Sequence, residues 1–148
     1  MAEGEVTARK AIERAGWFPG RKVDVSSALA ALELAGFNFG SAAEAILSEY
    51  SSLEFRDPAS PGQRLWIDGA RAAQECDPDW CSAYEAGSDQ VLTPIGGFSH
   101  ATIYIDDGGR FWGGFDLEYG LLGDSLDELV HALVVLPGSR PFDHQLPH

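Results

Sequence analysis

The sequence predicts a single α+β domain in which helices pack on a central, curved, mostly antiparallel sheet, and three observations carry that reading. First, Ala101 to Ile105 alternates, with Ile103 and Ile105 on one face and Thr102 and Tyr104 on the other. Asp106-Asp107-Gly108-Gly109 then supplies residues that accept φ > 0, and Arg110 to Asp116 returns as the second strand of a hairpin. Second, Ser125 and Glu128 have capping-box spacing ahead of an apolar stripe of Leu126, Leu129, Val130, Leu133 and Val134, and Pro137-Gly138 stops that helix. Third, a hairpin and a one-sided helix cannot bury both apolar faces alone, so the rest of the chain, which opens with three short helices ahead of any strand, must complete a layered α+β core.

The elements follow in order. Glu3 to Ala15 reads as a helix closed by Gly16, with Trp17 folding back on its last turn. After the Phe18-Pro19-Gly20-Arg21 turn, Asp24 or Ser26 caps a second helix, which turns Val25, Ala28, Leu29, Leu32 and Ala35 inward and stops at Gly36-Phe37. Ser41 and Glu44 predict a capping box for a third, with Ala43, Ile46, Leu47 and Tyr50 buried. Leu53–Arg56 and Arg64–Ile67 alternate, Asp57-Pro58 closing the first strand and Ser60-Pro61-Gly62 turning the chain between them. Ala70–Glu75 and Pro78–Ala86 are helical in composition, the second capped by Asp77 with Pro78 at its first position. Val91–Ile95 returns to strand, and Pro94 argues for an edge or a strand end. Gly113-Gly114 interrupts an aromatic run and predicts a bulge or a close neighbour. The expected sheet has about five or six strands; the domain covers 1–138, and 139–148 is a polar, flexible C-terminal tail.

With 148 residues, 45% hydrophobic, the chain is sized for one core. No apolar run is long enough for a bilayer, and the first residues are acidic where a signal peptide would be basic, so the expected location is the cytoplasm, with Cys76 and Cys81 as free thiols. The net charge of −13 is uneven: residues 1–71 carry −2 and residues 72–148 carry −11. Such a surface repels nucleic acid and anionic lipid and attracts a basic partner. The acids Asp77, Asp79, Glu85, Asp106, Asp116 and Glu118, with Trp112 and Tyr119 as aromatic anchors, are the expected partner-binding face.

As a set, AGWFPGR at Ala15 to Arg21, Val23-Asp24, LELAGF ending at Phe37, Ala42-Ala43, Ile46 to Tyr50 and Ser52 to Phe55 resemble the SUKH-3 family. The resemblance continues through Trp80, Tyr84-Glu85, Leu92, Pro94-Ile95-Gly96, Ile105-Asp106, Gly109-Arg110 and Leu122-Gly123, and so covers most of the chain. Gly97 departs from the pattern, where a polar or acidic residue is expected. The resemblance implies the SUKH fold and a bacterial immunity protein that binds and neutralises a cognate toxin of a contact-dependent or polymorphic system, many such toxins acting on nucleic acid. It implies no catalytic residues and no cofactor.

Two other readings stand beside it. Cys81, His100 and Asp116 occur in the order of papain-like and NlpC/P60-like cysteine hydrolases, which need a thiolate, a histidine base and a carboxylate that fixes the imidazole. Against that order, Asp79 beside Cys81 would raise its pKa. The other is a protein-binding domain of the same fold with no toxin partner. A metal site from Cys76, Cys81 and His100 lacks knuckle spacing and a fourth ligand, and the acids of the second half do not follow an EF-hand loop. No glycine-rich phosphate loop precedes a helix and lysine.

Overall fold

A computed structural model of the chain describes residues 3–57, 60–137 and 141–147. Three helices come first: α1 (Glu3–Arg14), α2 (Ser26–Leu34) and α3 (Ser41–Tyr50). Gly16 (φ 114°) and Gly36 (φ 91°) take the left-handed conformation that ends α1 and α2, and Trp17 N–H and Phe37 N–H reach back to the Ile12 and Leu32 carbonyls. The expected Ser41 cap is not formed. Gly40 holds that position, and Ser41 is the first helical residue. At α2 the cap residue is Val25, while Asp24 Oδ1 accepts from the Ser26 amide and hydroxyl.

The strands β1 (Leu53–Asp57), β2 (Ser60–Ile67), β3 (Leu92–Phe98), β4 (Ala101–Asp106), β5 (Phe111–Phe115), β6 (Glu118–Gly123) and β7 (His144–Gln145) form one antiparallel sheet in chain order. Asp57 pairs with Ser60, so Ser60-Pro61-Gly62 belongs to β2 and not to a turn; the expected closure at Pro58 lies outside the described residues. Pro94 sits in a central strand, where its missing N–H costs nothing, because β2 pairs β3 only from Gly96 onward and the β3–β4 register shifts between Pro94 and Gly96. Where a flexible tail is expected, β7 pairs with β6, Leu146 N–H bonds the Leu117 carbonyl and Leu146 is buried. Residues 138–140 and 148 of the predicted helix stop and tail lie outside the described residues.

Both sheet faces are covered. Between β2 and β3 lie α4 (Gly69–Glu75) and α5 (Pro78–Ser88), α5 capped by Asp77, whose Oδ1 accepts from Asp79 N–H at 2.8 Å. These two helices pack on the face that carries Trp66, Tyr104, Trp112 and Tyr119. The opposite face, with Phe55, Leu65, Ile67, Ile103 and Phe111, lies under α1, α6 (Leu126–Val130) and the π-helical turn His131–Val135 that continues α6. Ser125 Oγ caps α6 by accepting from Glu128 N–H, and Arg9 of α1 pairs with Asp127 at 2.8 Å. The neighbours of Gly113 and Gly114 are rings. A Cβ on Gly113 would lie 2.7 Å from Phe142 Cζ on one face, and a Cβ on Gly114 would collide with the Tyr84 ring on the other. The β5–β6 register shift lies instead between Phe111 and Trp112.

Candidate interaction site at the hairpin-turn end

The β3–β4 and β5–β6 turns lie at the same end of the sheet, a consequence of antiparallel strands taken in chain order. Each holds a non-glycine residue at positive φ, Ser99 (55°) and Asp116 (52°), a conformation that costs about 1–2 kcal/mol. At Asp116 the surroundings fix it: Tyr84 Oη donates to the Asp116 carbonyl at 2.6 Å. These turns flank a trough whose floor is the cross-strand row Gly97, Thr102 and Gly114, with Trp66 at its β2 end. Gly97 has to be glycine here, because the Trp66 indole lies across it and a Cβ would meet Trp66 Cζ2 at 2.6 Å. That contact accounts for the departure at this position.

The trough has two connected halves that share Glu75, His100 and Thr102. The β2 half, about 240 Å³, is walled by Trp66 and Arg71. The β5 half, about 180 Å³, is walled by Asp77, Trp80, Tyr84, Phe115 and Asp116. Phe115 is 43% exposed and its ring centre lies 5.9 Å from that of His100; Trp80, half-buried, stacks on Tyr84 at 6.0 Å.

The sequence-predicted residues divide sharply. Asp77, Asp79, Asp116 and Glu118 are exposed. Glu85 is half-buried and accepts from Leu92 N–H at 2.9 Å, which ties α5 to β3. Three expected contact residues are internal. Asp106 is buried, its Oδ1 accepting from the Gly108 and Arg110 amides and its Oδ2 from Arg110 Nε and Trp112 Nε1, each at 2.9 Å. Trp112 is buried by that same bond, and Tyr119 is buried beside Tyr84 and Trp112 and under His144. Exposed Phe115 and His100 and half-buried Trp80 are the rings at the trough that the sequence pattern does not assign to a partner. Pattern alone does not find them: alternation would put Phe115 on the face opposite Trp112, whereas Phe115, the last residue of β5, borders the trough on Trp112's own face and lies against His100.

The hydrolase triad does not assemble. His100 and Asp116 line the trough, but Cys81 is buried outside its lining and its Sγ donates to the Leu92 carbonyl at 3.4 Å. Burial pushes the Cys81 thiol far up, and the Glu85 carboxylate and Cys76 push it further, the opposite of what a nucleophile needs. Cys76 is also buried, within 3.4 Å of Tyr104 Oη, and is pushed up to about 11, by burial first. Among the described residues no group of three or more His, Cys, Asp or Glu side chains is placed to hold a metal ion, so Cys76, Cys81 and His100 do not converge.

Residues 5–135 match the family model of the SUKH-3 immunity proteins. The chain belongs to the SUKH-3 immunity protein family. No curated protein and no solved structure matches it. Membership implies toxin neutralisation, a cognate toxin as partner and a non-enzymatic role, in keeping with a buried, protonated Cys81. Among the described residues no helix of this SUKH-3 protein is long and apolar enough to cross a membrane.

Proposed function

We propose that this SUKH-3 protein neutralises a basic, nucleic-acid-targeting toxin in the cytoplasm of the producing cell, laying its acidic hairpin-turn end over the toxin's active site. The observation that carries the proposal is the gathering of Asp77 and Asp116 in one trough beside an exposed Phe115. Asp79 and Glu118 flank them in the chain half that carries −11. An enzyme that handles nucleic acid has a cationic cleft, and an acidic inhibitor gains long-range attraction and a fast encounter from it. Occlusion then needs only a desolvated contact at the centre, which exposed aromatics supply.

The test is capture of a toxin domain from the source lysate by the purified protein, co-production of the two, and stopped-flow association of the purified pair. The wild-type chain should restore growth, and the association rate should fall steeply between about 0.05 and about 0.5 M salt as the Debye length shortens. A rate indifferent to salt, or a toxin whose buried face is acidic, refutes the electrostatic part.

A further inference from the structure

The two halves of the trough are built from the same parts. At the β2 end the Arg71 guanidinium lies 3.9 Å from the centre of the Trp66 ring, with its Nε 2.5 Å from Glu75 Oε2. An indole face and a carboxylate thus hold a cation supplied by the chain itself. At the β5 end the lining includes two aromatic residues, Trp80 and Phe115, and two acids, Asp77 and Asp116, together with Glu75 shared between the halves. Among the described residues neither aspartate forms an ion pair. Asp77 Oδ1 is engaged in capping α5, and the other carboxylate oxygen takes no hydrogen bond among the described residues. Asp116 has its backbone fixed by Tyr84 while its side chain stays exposed.

We propose that the β5 half of the trough receives an arginine side chain of the toxin, its guanidinium bonded by Asp77 and Asp116 and stacked between Trp80 and Phe115. This rests on the neutralisation reading and adds to it the point of contact. Arginine fits better than lysine because its planar fork stacks on a ring and bonds carboxylates at the same time, whereas an ammonium is a compact, strongly hydrated point charge. The neighbouring Arg71–Trp66–Glu75 group shows that pairing made within this same trough.

The test is an NMR titration of the intact protein with L-argininamide, which has a guanidinium and no carboxylate, read at the Trp80 indole N–H and the Phe115 and Asp116 amides. Saturable shifts at these three groups are expected. The double variant Asp77→Asn, Asp116→Asn should weaken them about fivefold or more. Asparagine caps a helix as well as aspartate and tolerates the left-handed conformation of residue 116, so the variant keeps its fold. No saturable shift, equal shifts with leucinamide, or affinity unchanged in the double variant would each overturn the proposal. In the co-production assay, a double variant that protects as well as wild type overturns the arginine clamp and leaves neutralisation standing. A wild-type chain that fails to protect overturns neutralisation itself, and the clamp with it.

Discussion

Replacing Asp106 by alanine should cost this protein about 2–7 kcal/mol of stability, although the residue sits at the edge of a hairpin turn. Its carboxylate accepts four hydrogen bonds of 2.9 Å, and removing it strands donors of different worth. Trp112 Nε1 is buried and keeps no acceptor, a loss of about 1–3 kcal/mol. The Gly108 and Arg110 amides order the turn and lose about 0.5–1.5 kcal/mol each. The Arg110 side chain is 41% exposed and can turn to water, so its share is at most about 1 kcal/mol. Urea unfolding followed by far-UV circular dichroism measures the sum without depending on tryptophan emission. Asp106→Asn should lose less, since Oδ1 still serves the amides while a new NH₂ faces Arg110 Nε and Trp112 Nε1. A double-mutant cycle with Trp112→Phe should give a coupling of about 1–2 kcal/mol. A loss below about 1 kcal/mol for Asp106→Ala would refute the reasoning and return Asp106 to the surface role that its sequence position had implied.

Other consequences can be checked as directly. Gly114→Ala drives a Cβ into the Tyr84 ring, so a destabilisation of about 1–3 kcal/mol is expected, with displaced NMR signals for α5; a neutral substitution would mean that α5 is loosely seated. Both cysteines should resist a thiol reagent at neutral pH and react fully once urea is added; rapid labelling of Cys81 in the native state would reopen the hydrolase. Folding raises Cys76 from an ordinary 9 to about 11 and Tyr50 from 10 to about 12, in both cases by burial first. The unfolded chain therefore releases these protons at lower pH than the folded one, and stability should fall as pH rises above about 9. Cys76→Ala should flatten the part of that slope between pH 9 and about 11, and an unchanged slope would exclude Cys76 as its source.

Local chemistry was readable wherever a residue acts on its own chain neighbours. Asp77-Pro78, Ser125 with Glu128, and Gly16 and Gly36 all act within a turn or two of themselves, and each stands where its type predicts. Ser41 did not, because Gly40 supplies the extended conformation one residue earlier. Two strands went unread for a different reason. Glu118–Gly123 is split by Gly120, which has to be small because the Pro141 carbonyl and Phe142 backbone pass within 3.0 Å of where its Cβ would be. His144–Gln145 has no strand pattern and is extended only because β6 offers it an edge. The candidate site was legible in its charge and not in its depth. Asp77, Asp79, Asp116 and Glu118 are exposed as expected of a partner-facing set, whereas Asp106, Trp112 and Tyr119 are drawn inward by bonds and rings from elements distant in sequence.

The strand order has a bearing on how this domain comes apart. A sheet in which every strand pairs only with its sequence neighbour resembles a linear array, whose ends can fray without disturbing the middle. Here the first helix packs against α6 and the π-helical turn near the other end of the chain, and Arg9 grips Asp127 across 118 positions. That clasp joins the two ends of the array. It links the opening of β1 to the opening of the far end, so the sheet should melt as a single cooperative unit rather than hairpin by hairpin.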